Sequence, residues 1–333
     1  MPQVGPITKI HRIGFLLVSN FSLIAFSSAV DALRMANRMR EHKIYEWRVF
    51  THDGQPVSSS SELTITPDCD AATVGDLDML FLCAGDKVHL AVDKSLFFWL
   101  RKFAQRKVAM GAICTGSYLL ARAGLLDGYR CTIHWENMAS MREEFPNAVV
   151  SQELFEIDRD RYTCSGGTAP LDMMLTIITR QHGAQLAVSI SEEFICERIR
   201  GRHDRQRVPL RLHLGTSQPK LMEAVALMEA NLEEPMSLDE LAQHMRLSRR
   251  QLERLFQKHL SCVPTRYYLE LRLAKARQLL LQTSMSIVDV AFSSGFVSAP
   301  HFSKCYRDFY GIPPRDERRQ RRPAEPGDVA IGD

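Results

Sequence analysis

Ser237-Leu238-Asp239-Glu240-Leu241-Ala242-Gln243-His244-Met245-Arg246-Leu247-Ser248-Arg249-Arg250-Gln251-Leu252-Glu253-Arg254-Leu255-Phe256 reads as a short helix carrying an alanine, a tight turn, and a second helix that opens on small and basic residues. The pattern returns 49 residues later in Ser286-Ile287-Val288-Asp289-Val290-Ala291-Phe292-Ser293-Ser294-Gly295-Phe296-Val297-Ser298-Ala299-Pro300-His301-Phe302-Ser303-Lys304. Each copy has the layout of a helix-turn-helix, whose second helix lies in the major groove of DNA. Two in tandem predict a grip on two successive groove faces.

Around this duplication the chain reads as helix from Lys220 onward. Leu221, Val225, Met228 and Leu232 recur on one face. Leu269, Leu273, Ala276 and Leu280 recur through a long run from Pro264 to Leu281, the period of a helix joining the two units. At 1.5 Å per residue that run spans about 26 Å, which with the width of the units fits the ~34 Å between successive turns of B-DNA. Net charge is only +3, yet residues 246–322 hold 16 Lys and Arg against 6 Asp and Glu. The basic charge therefore sits where the helix-turn-helix pattern sits. In the first unit Ser248, Arg249, Arg250, Gln251 and Arg254 fall on the opening turns of the second helix, with Leu252, Leu255 and Phe256 turned inward. In the second unit Ser298, Ala299, Pro300, His301, Lys304 and Arg307 surround Phe302 and Tyr306. Arg and Gln can pair bidentately with guanine and adenine edges, while Ser, Lys and helix N-termini suit phosphates. All of these outward residues except Pro300 are expected DNA contacts; for each basic one the alternative is a solvated surface charge.

This C-terminal stretch resembles the AraC/XylS transcriptional regulators. The likeness is carried by residues 247–256, Pro264-Thr265-Arg266-Tyr267-Tyr268, Leu271-Arg272-Leu273-Ala274-Lys275-Ala276-Arg277, Gly295-Phe296, His301-Phe302-Ser303-Lys304 and Gly311-Ile312-Pro313-Pro314. One element departs: Arg315-Asp316 stands where an aromatic–Arg pair often follows the last proline. The resemblance implies double-stranded promoter DNA and RNA polymerase as partners.

The first ~195 residues have another rhythm, of short apolar runs alternating with helical periodicity. Strands are expected at Ile13–Val18, Trp47–Thr51, Met79–Cys83, Val108–Ile113 and Tyr162–Ser165. Helices are expected at Phe26–Arg40, Ser95–Arg106, Gly116–Ala123, Glu136–Phe145, Pro170–Arg180 and Ala184–Arg200. Continuously apolar strands between helices predict a doubly wound, mostly parallel sheet covered on both faces, an α/β domain followed by an all-α one. The expected division is a sensing domain over 1–200, a linker over 201–219, a DNA-binding domain over 220–318 and a flexible tail over 319–333. Composition is ordinary for a globular chain, 45% apolar and 24% charged, and 333 residues suffice for two cores. The eight cysteines are scattered singly, without CxxC or zinc-ligand spacing, so a reducing compartment and no metal or cofactor are expected. Lys9-Ile10-His11-Arg12 before an apolar stretch imitates a secretion signal, but Ser19-Asn20 interrupts it and a buried first strand explains it. No segment approaches the ~18 apolar residues of a membrane span. A cytoplasmic protein is expected.

Met110-Gly111-Ala112-Ile113-Cys114-Thr115-Gly116-Ser117, continuing to Ala123-Gly124-Leu125-Leu126-Asp127-Gly128, resembles the PfpI-type, class I glutamine-amidotransferase-like superfamily. Cys114 lies between a strand and a helix, an elbow that exposes a thiol to helix N–H groups. Thr132-Ile133-His134-Trp135-Glu136 is similar to the superfamily's histidine-bearing segment, and Cys83-Ala84-Gly85 brings a glycine whose N–H can help hold an oxyanion. Two departures argue against turnover: Ala25 occupies the place of the carboxylate that hydrogen-bonds the cysteine, and Thr115 the place of a histidine. The pairing of this domain with an AraC-type reader, together with Arg205-Gln206-Arg207 and Pro209-Leu210, resembles the GlxA-like regulators. That resemblance implies a sensor for an amino acid or quaternary amine (arginine, carnitine, glycine betaine), control of a catabolic operon as an activator, and a homodimer. Small ligands bind such sheets at the carboxyl ends of the strands. Asn20, Phe21, Gly85, Cys114, Thr115, His134, Trp135 and Ser165 are the expected lining, Phe21 and Trp135 as cation–π faces. The alternatives are a cysteine amidase or hydratase that also binds DNA, a thiol redox sensor, and a DNA binder without sequence preference.

Overall fold

The structure, a computed structural model, describes residues 9–40, 42–90, 94–204, 206 and 218–319. The chain divides into two compact units between Gln206 and Arg207. Most of the linker expected over 201–219, and the tail from 320, lie outside the described residues.

Among the described residues of the first unit eleven strands alternate with six helices. The strands are β1 His11–Leu17, β2 Tyr45–Thr51, β3 Val57–Ser58, β4 Thr64–Ile65, β5 Cys69–Asp70, β6 Met79–Cys83, β7 Ala109–Ile113, β8 Arg130–Cys131, β9 Val149–Val150, β10 Phe155–Asp158 and β11 Arg161–Cys164. The helices are α1 Leu23–Arg40, α2 Lys94–Gln105, α3 Gly116–Arg122, α4 Met138–Glu144, α5 Ala169–His182 and α6 Ala184–Glu193. Seven strands form one sheet in the order β10-β11-β7-β6-β1-β2-β5. Every neighbouring pair is parallel except the β10–β11 hairpin. Because successive side chains leave a strand on opposite faces, β1 and β6 feed two cores at once. Phe15, Leu17, Phe81 and Cys83 pack with α1, α5 and α6; Leu16, Leu80 and Leu82 pack with α2, α3 and α4. That double burial is why these strands read as unbroken apolar runs. The chain turns from β1 to β2 on one side and later to β6 on the other, so the strand order reverses at the carboxyl ends of β1 and β6.

Two expectations need correction. The helix expected over Ala184–Arg200 ends at Glu193. Ile195 takes a left-handed φ of +54°, and the chain then doubles back to Asp172 at the start of α5. There the Asp172 carboxylate accepts the Arg200 backbone N–H at 2.7 Å and its guanidinium at 2.6 and 2.9 Å. A continued α6 would carry Arg200 away from that buried carboxylate. The helix expected over Glu136–Phe145 opens instead as a 3-10 turn at 135–137 before α4.

The second unit is helical throughout its described residues: α7 Pro219–Ala230, α8 Leu238–His244, α9 Arg249–Leu260, α10 Pro264–Gln282, α11 Ile287–Ser293, α12 Ala299–Tyr310 and α13 Pro314–Arg319. The sequence marks where each recognition unit begins. Ser237 with Glu240, Ser248 with Gln251, and Ser286 with Asp289 form capping boxes that satisfy the first N–H groups of α8, α9 and α11. Proline at the first helical position starts α7, α10 and α13. Leu241, Ala242, Leu252 and Phe256 close the core of the first helix-turn-helix against α7 and Tyr268. No helix among the described residues is long and apolar enough to cross a membrane.

At the amino end of the sheet His182 packs edge-on against Tyr45 and His11, with ring centroids 5.4 and 6.0 Å away. Burial lowers the His182 pKa below its ordinary 6.5, and His11, Arg40 and His42 lower it further. Burial also lowers that of His11, partly offset by Asp78 and reinforced by Lys9. Both folded-state pKa values are depressed, so the unfolded chain takes up protons first as pH falls. The stabilisation is complete above the ordinary histidine pKa and is lost below it. Urea midpoints are expected to fall between about pH 7.5 and about pH 5.5. His182→Phe, which keeps the ring, should flatten that slope; an unchanged slope would contradict this account.

Candidate functional site

The carboxyl ends of β1, β6, β7 and β11 converge on Cys114, the residue between β7 and α3. It holds a φ of +59°, and its N–H donates to the Cys164 carbonyl at 3.1 Å. Three glycines let backbone crowd around it. A Cβ on Gly116 would strike the Leu82 carbonyl oxygen, and one on Gly85 would strike the Asn20 oxygen. One on Gly166 would sit 2.8 Å from the Cys114 sulfur. The Thr115 hydroxyl donates to the Gly85 carbonyl at 2.6 Å, and the Asp86 N–H donates to the Asn20 carbonyl at 3.1 Å. Phe21 bridges Gly85 in antiparallel fashion. Ser117 on α3 donates to the Thr132 carbonyl at 2.7 Å, which lays the segment carrying His134 beside the elbow.

Most of the expected lining is therefore brought together through backbone contacts: Asn20, Phe21, Gly85, Cys114 and Thr115, with Ser165 one residue beyond the carbonyl that holds Cys114. His134 and Trp135 lie half-buried on the neighbouring segment, ring centroids 5.6 Å apart, and Trp135 packs on the core beside α3 and α4. The Phe21 ring does not line the crevice. It is fully buried and packs edge-to-face on Phe26 at 5.7 Å, so its contribution is backbone alone.

The electrostatics favour the protonated thiol. Burial pushes the Cys114 thiol up to about 12, and the carboxylates of Asp86 and Glu136 push the same way; only the Thr115 N–H opposes them. Ala25 is fully buried and carries no acid to receive the thiol proton. Burial lowers the His134 pKa, while Glu136 and Asp86 raise it; His134 Nδ1 lies 3.7 Å from a Glu136 oxygen. Two carboxylates thus bear on both groups at the crevice. Sequence reasoning did not place either in the site, although Glu136 directly follows Trp135 and Asp86 directly follows Gly85. Among the described residues no group of three His, Cys, Asp or Glu side chains could hold a metal ion.

In the second unit the expected DNA contacts divide into tethered and open side chains. Gln251 is tethered: its side-chain oxygen accepts the Ser248 N–H at 2.7 Å and hydroxyl at 3.0 Å. Arg249 pairs with Glu253 at 3.2 Å and reaches Asp239 at 3.9 Å. Ser298 caps α12 by accepting the His301 N–H at 3.4 Å, and the His301 ring meets Cys305 at 3.4 Å and Phe296 at 6.0 Å. Ala299 is half-buried in the first turn of α12. Arg250 and Arg254 on α9, and Lys304 and Arg307 on α12, are exposed and join no ion pair among the described residues. Spaced by four and by three residues, each pair shares one helix face.

Three other basic residues of this region are committed to partners within the unit. Arg272 on α10 donates to the Ser294 carbonyl at 2.9 Å and the Gly295 carbonyl at 2.7 Å, its guanidinium 4.1 Å above the Phe296 ring. Lys275 meets Glu233 at 2.6 Å, and Arg277 meets the buried Glu317 at 2.9 Å. These side chains hold the turn of the second helix-turn-helix and its flanks. Gly295, at φ +76°, needs its lack of a side chain there, since a Cβ would lie 2.7 Å from Pro235.

The sequence profile of the DJ-1/PfpI family matches residues 11–180, and that of a helix-turn-helix domain matches residues 241–320. The chain is 56% identical over 316 residues to the HTH-type transcriptional regulator GbdR of Pseudomonas aeruginosa, covering 95% of this chain and 86% of that protein. It is 47% identical over 315 residues to the HTH-type transcriptional regulator ArgR of the same species, covering 94% of each. Among solved structures it is similar to an AraC family transcriptional regulator from Pseudomonas putida, at 31% identity and a TM-score of 0.51, covering 55% of this chain and 99% of that one.

The state of the thiol can be checked directly. At about pH 7.5 a group titrating near 12 is thiolate in well under ~0.1% of molecules. Iodoacetamide followed by peptide mass mapping is expected to label the half-buried Cys69, Cys196, Cys262 and Cys305 well before Cys114. Preferential labelling of Cys114 would mean an activated nucleophile.

Proposed function

The chain belongs to the DJ-1/PfpI family and is a DNA-binding transcriptional regulator with an AraC-type helix-turn-helix domain, and from that premise we propose that a small cationic metabolite, an amino acid or quaternary amine, binds the Cys114 crevice and sets its activity on a catabolic promoter. The observation that carries this reading is the pair of carboxylates, Asp86 and Glu136, whose charge bears on both Cys114 and His134. At the edge of the crevice, where both carboxylates are exposed, such a field favours a cation and disfavours an anion. The half-buried Trp135 ring adds a face for a quaternary ammonium, and the Asn20, Gly85 and Ser165 backbone with the Thr115 and Cys114 side chains forms the rest of the lining. The effector acts only through a difference in affinity between two arrangements of the protein.

Cys114 serves here as wall rather than as catalyst. A protonated thiol without an acid or oriented base performs no acyl transfer, which weighs against an amidase or hydratase. The same raised pKa weighs against a thiol redox sensor, since the thiolate is the species that oxidants attack. On DNA, Arg250, Arg254, Lys304 and Arg307 are the side chains free to reach bases or phosphates, with Arg249, Gln251, His301, Ser248, Ser298 and Ala299 placing helix N-termini against the backbone. The regulator acts in the cytoplasm as a homodimer on repeated half-sites, and RNA polymerase is the partner it recruits as an activator.

Thermal-shift titration of the full chain tests the crevice. Cationic amines and betaines are expected to raise the melting temperature, and neutral isosteres to raise it less. Asp86→Asn and Glu136→Gln should each weaken the stabilising ligand about tenfold; equal response to neutral and cationic analogues would sink the charge argument. For the DNA face, Arg250→Ala should cost about 1–3 kcal/mol on the promoter and less on scrambled duplex, read by fluorescence anisotropy. Equal loss on both would make Arg250 a phosphate contact.

A further inference from the structure

We propose that Gln206 couples the crevice to the chain entering the DNA-binding unit, an inference that rests on the crevice being the effector site. The first compact unit ends at this residue. Its side-chain amide donates to the Thr132 hydroxyl at 2.9 Å, the Ile133 carbonyl at 3.1 Å and the Glu153 carbonyl at 2.9 Å. Thr132 and Ile133 directly precede His134, Trp135 and Glu136. The same segment is tied to α3 through Ser117, three residues after Cys114. One side chain at the exit of the unit therefore grips the strip of backbone that carries the ligand-facing side chains.

The grip is imperfectly matched. An amide nitrogen carries two hydrogens and here meets three acceptors, while the amide oxygen of Gln206 is buried without a hydrogen-bond partner among the described residues. A buried unsatisfied oxygen costs free energy, so the arrangement depends on its surroundings and responds to small movements of them. By contrast, the preceding residues are firmly held. Arg198 forms a two-bond pair with Asp204 at 2.8 and 2.9 Å, Arg200 is clamped by Asp172, and the Arg202 carbonyl accepts the Leu154 N–H at 2.8 Å. Ligand contact with His134–Glu136 displaces the acceptors beneath Gln206 while the stretch before it stays fixed. The displacement is delivered to the point at which the chain leaves the unit. Gln206 is a positioning residue, with no contact to ligand or DNA required of it.

The test uses the full chain and the probes glycine betaine, carnitine and L-arginine, taking forward whichever stabilises the wild type. Promoter Kd is measured with and without saturating probe, and probe Kd with and without promoter, because linkage requires the same factor in both. In the wild type that factor is expected to be about fivefold or more, and in Gln206→Met, which keeps the packing but donates nothing, under about twofold. Probe Kd without DNA should stay near the wild-type value. Gln206→Lys, whose ammonium donates to the same three acceptors, should restore the factor. A wild-type factor in Gln206→Met overturns the proposal, and so does a Gln206→Lys chain no better coupled than Gln206→Met. Amide hydrogen exchange on the wild type supplies a readout free of substitutions: the probe should alter exchange over 131–136 and at Gln206, while 198–202 keeps its exchange. Change confined to 131–136 overturns the coupling. A wild-type chain that binds none of the probes, or binds without altering promoter affinity, overturns the crevice as effector site.

Discussion

Close approach of backbone to backbone at the strand ends governs the first unit. Where β1, β6, β7 and β11 finish, Gly85, Gly116 and Gly166 bring main chain against Asn20, Leu82 and Cys114 at distances that no side chain permits. With a left-handed Cys114 between strand and helix, the result is a site whose walls are largely peptide groups. A rigid polar wall of this kind presents fixed dipoles and leaves charge selection to the few side chains at its rim. Asp86 and Glu136 supply that charge. The same crowding keeps the sulfur from water and so favours its protonated form.

The DNA-binding unit depends on a different device, cations committed to partners within it. Arg272 closes the turn of the second helix-turn-helix by binding two consecutive carbonyls, and Tyr268 on the same helix donates to the Asn231 carbonyl at 2.6 Å. Lys275 reaches Glu233, on the loop that Gly295 abuts. One long helix thus ties the loop after α7 to the turn between α11 and α12. The two recognition helices are held on one scaffold through hydrogen bonds to backbone, which are specific in direction and costly to leave unmade.

Much of this was legible in the chain because it rests on local rules. Ser-x-x-Glu and Ser-x-x-Gln spacings mark helix starts, and the repeated alanine–turn–helix pattern marks the paired units. Unbroken apolar runs flanked by helices read as parallel strands because both faces are covered. What escaped was set by distant partners. The end of α6 depends on Asp172 recapturing Arg200 across 28 residues of sequence. The Phe21 ring is committed to Phe26 rather than to the crevice, which no spacing rule states. Arg272, Lys275 and Arg277 count as basic residues in any tally of composition, yet their partners turn them into internal braces. The roles of Asp86 and Glu136 depend on the loops that bring them near a buried sulfur.

The capping box at the head of α9 has a bearing on how such regulators diversify. Gln251 lies on the opening turn of a recognition helix, and its oxygen also secures the start of that helix through Ser248. Exchanging it to suit a new operator would remove the acceptor of the Ser248 N–H and so loosen the start of the helix in the same step, even though the Ser248 hydroxyl still accepts the N–H of residue 251. Arg250 and Arg254 carry no such second duty. Mutational drift toward new operators is thereby steered to positions whose loss the scaffold does not feel, which makes Gln251 the costlier letter to change in the reading head.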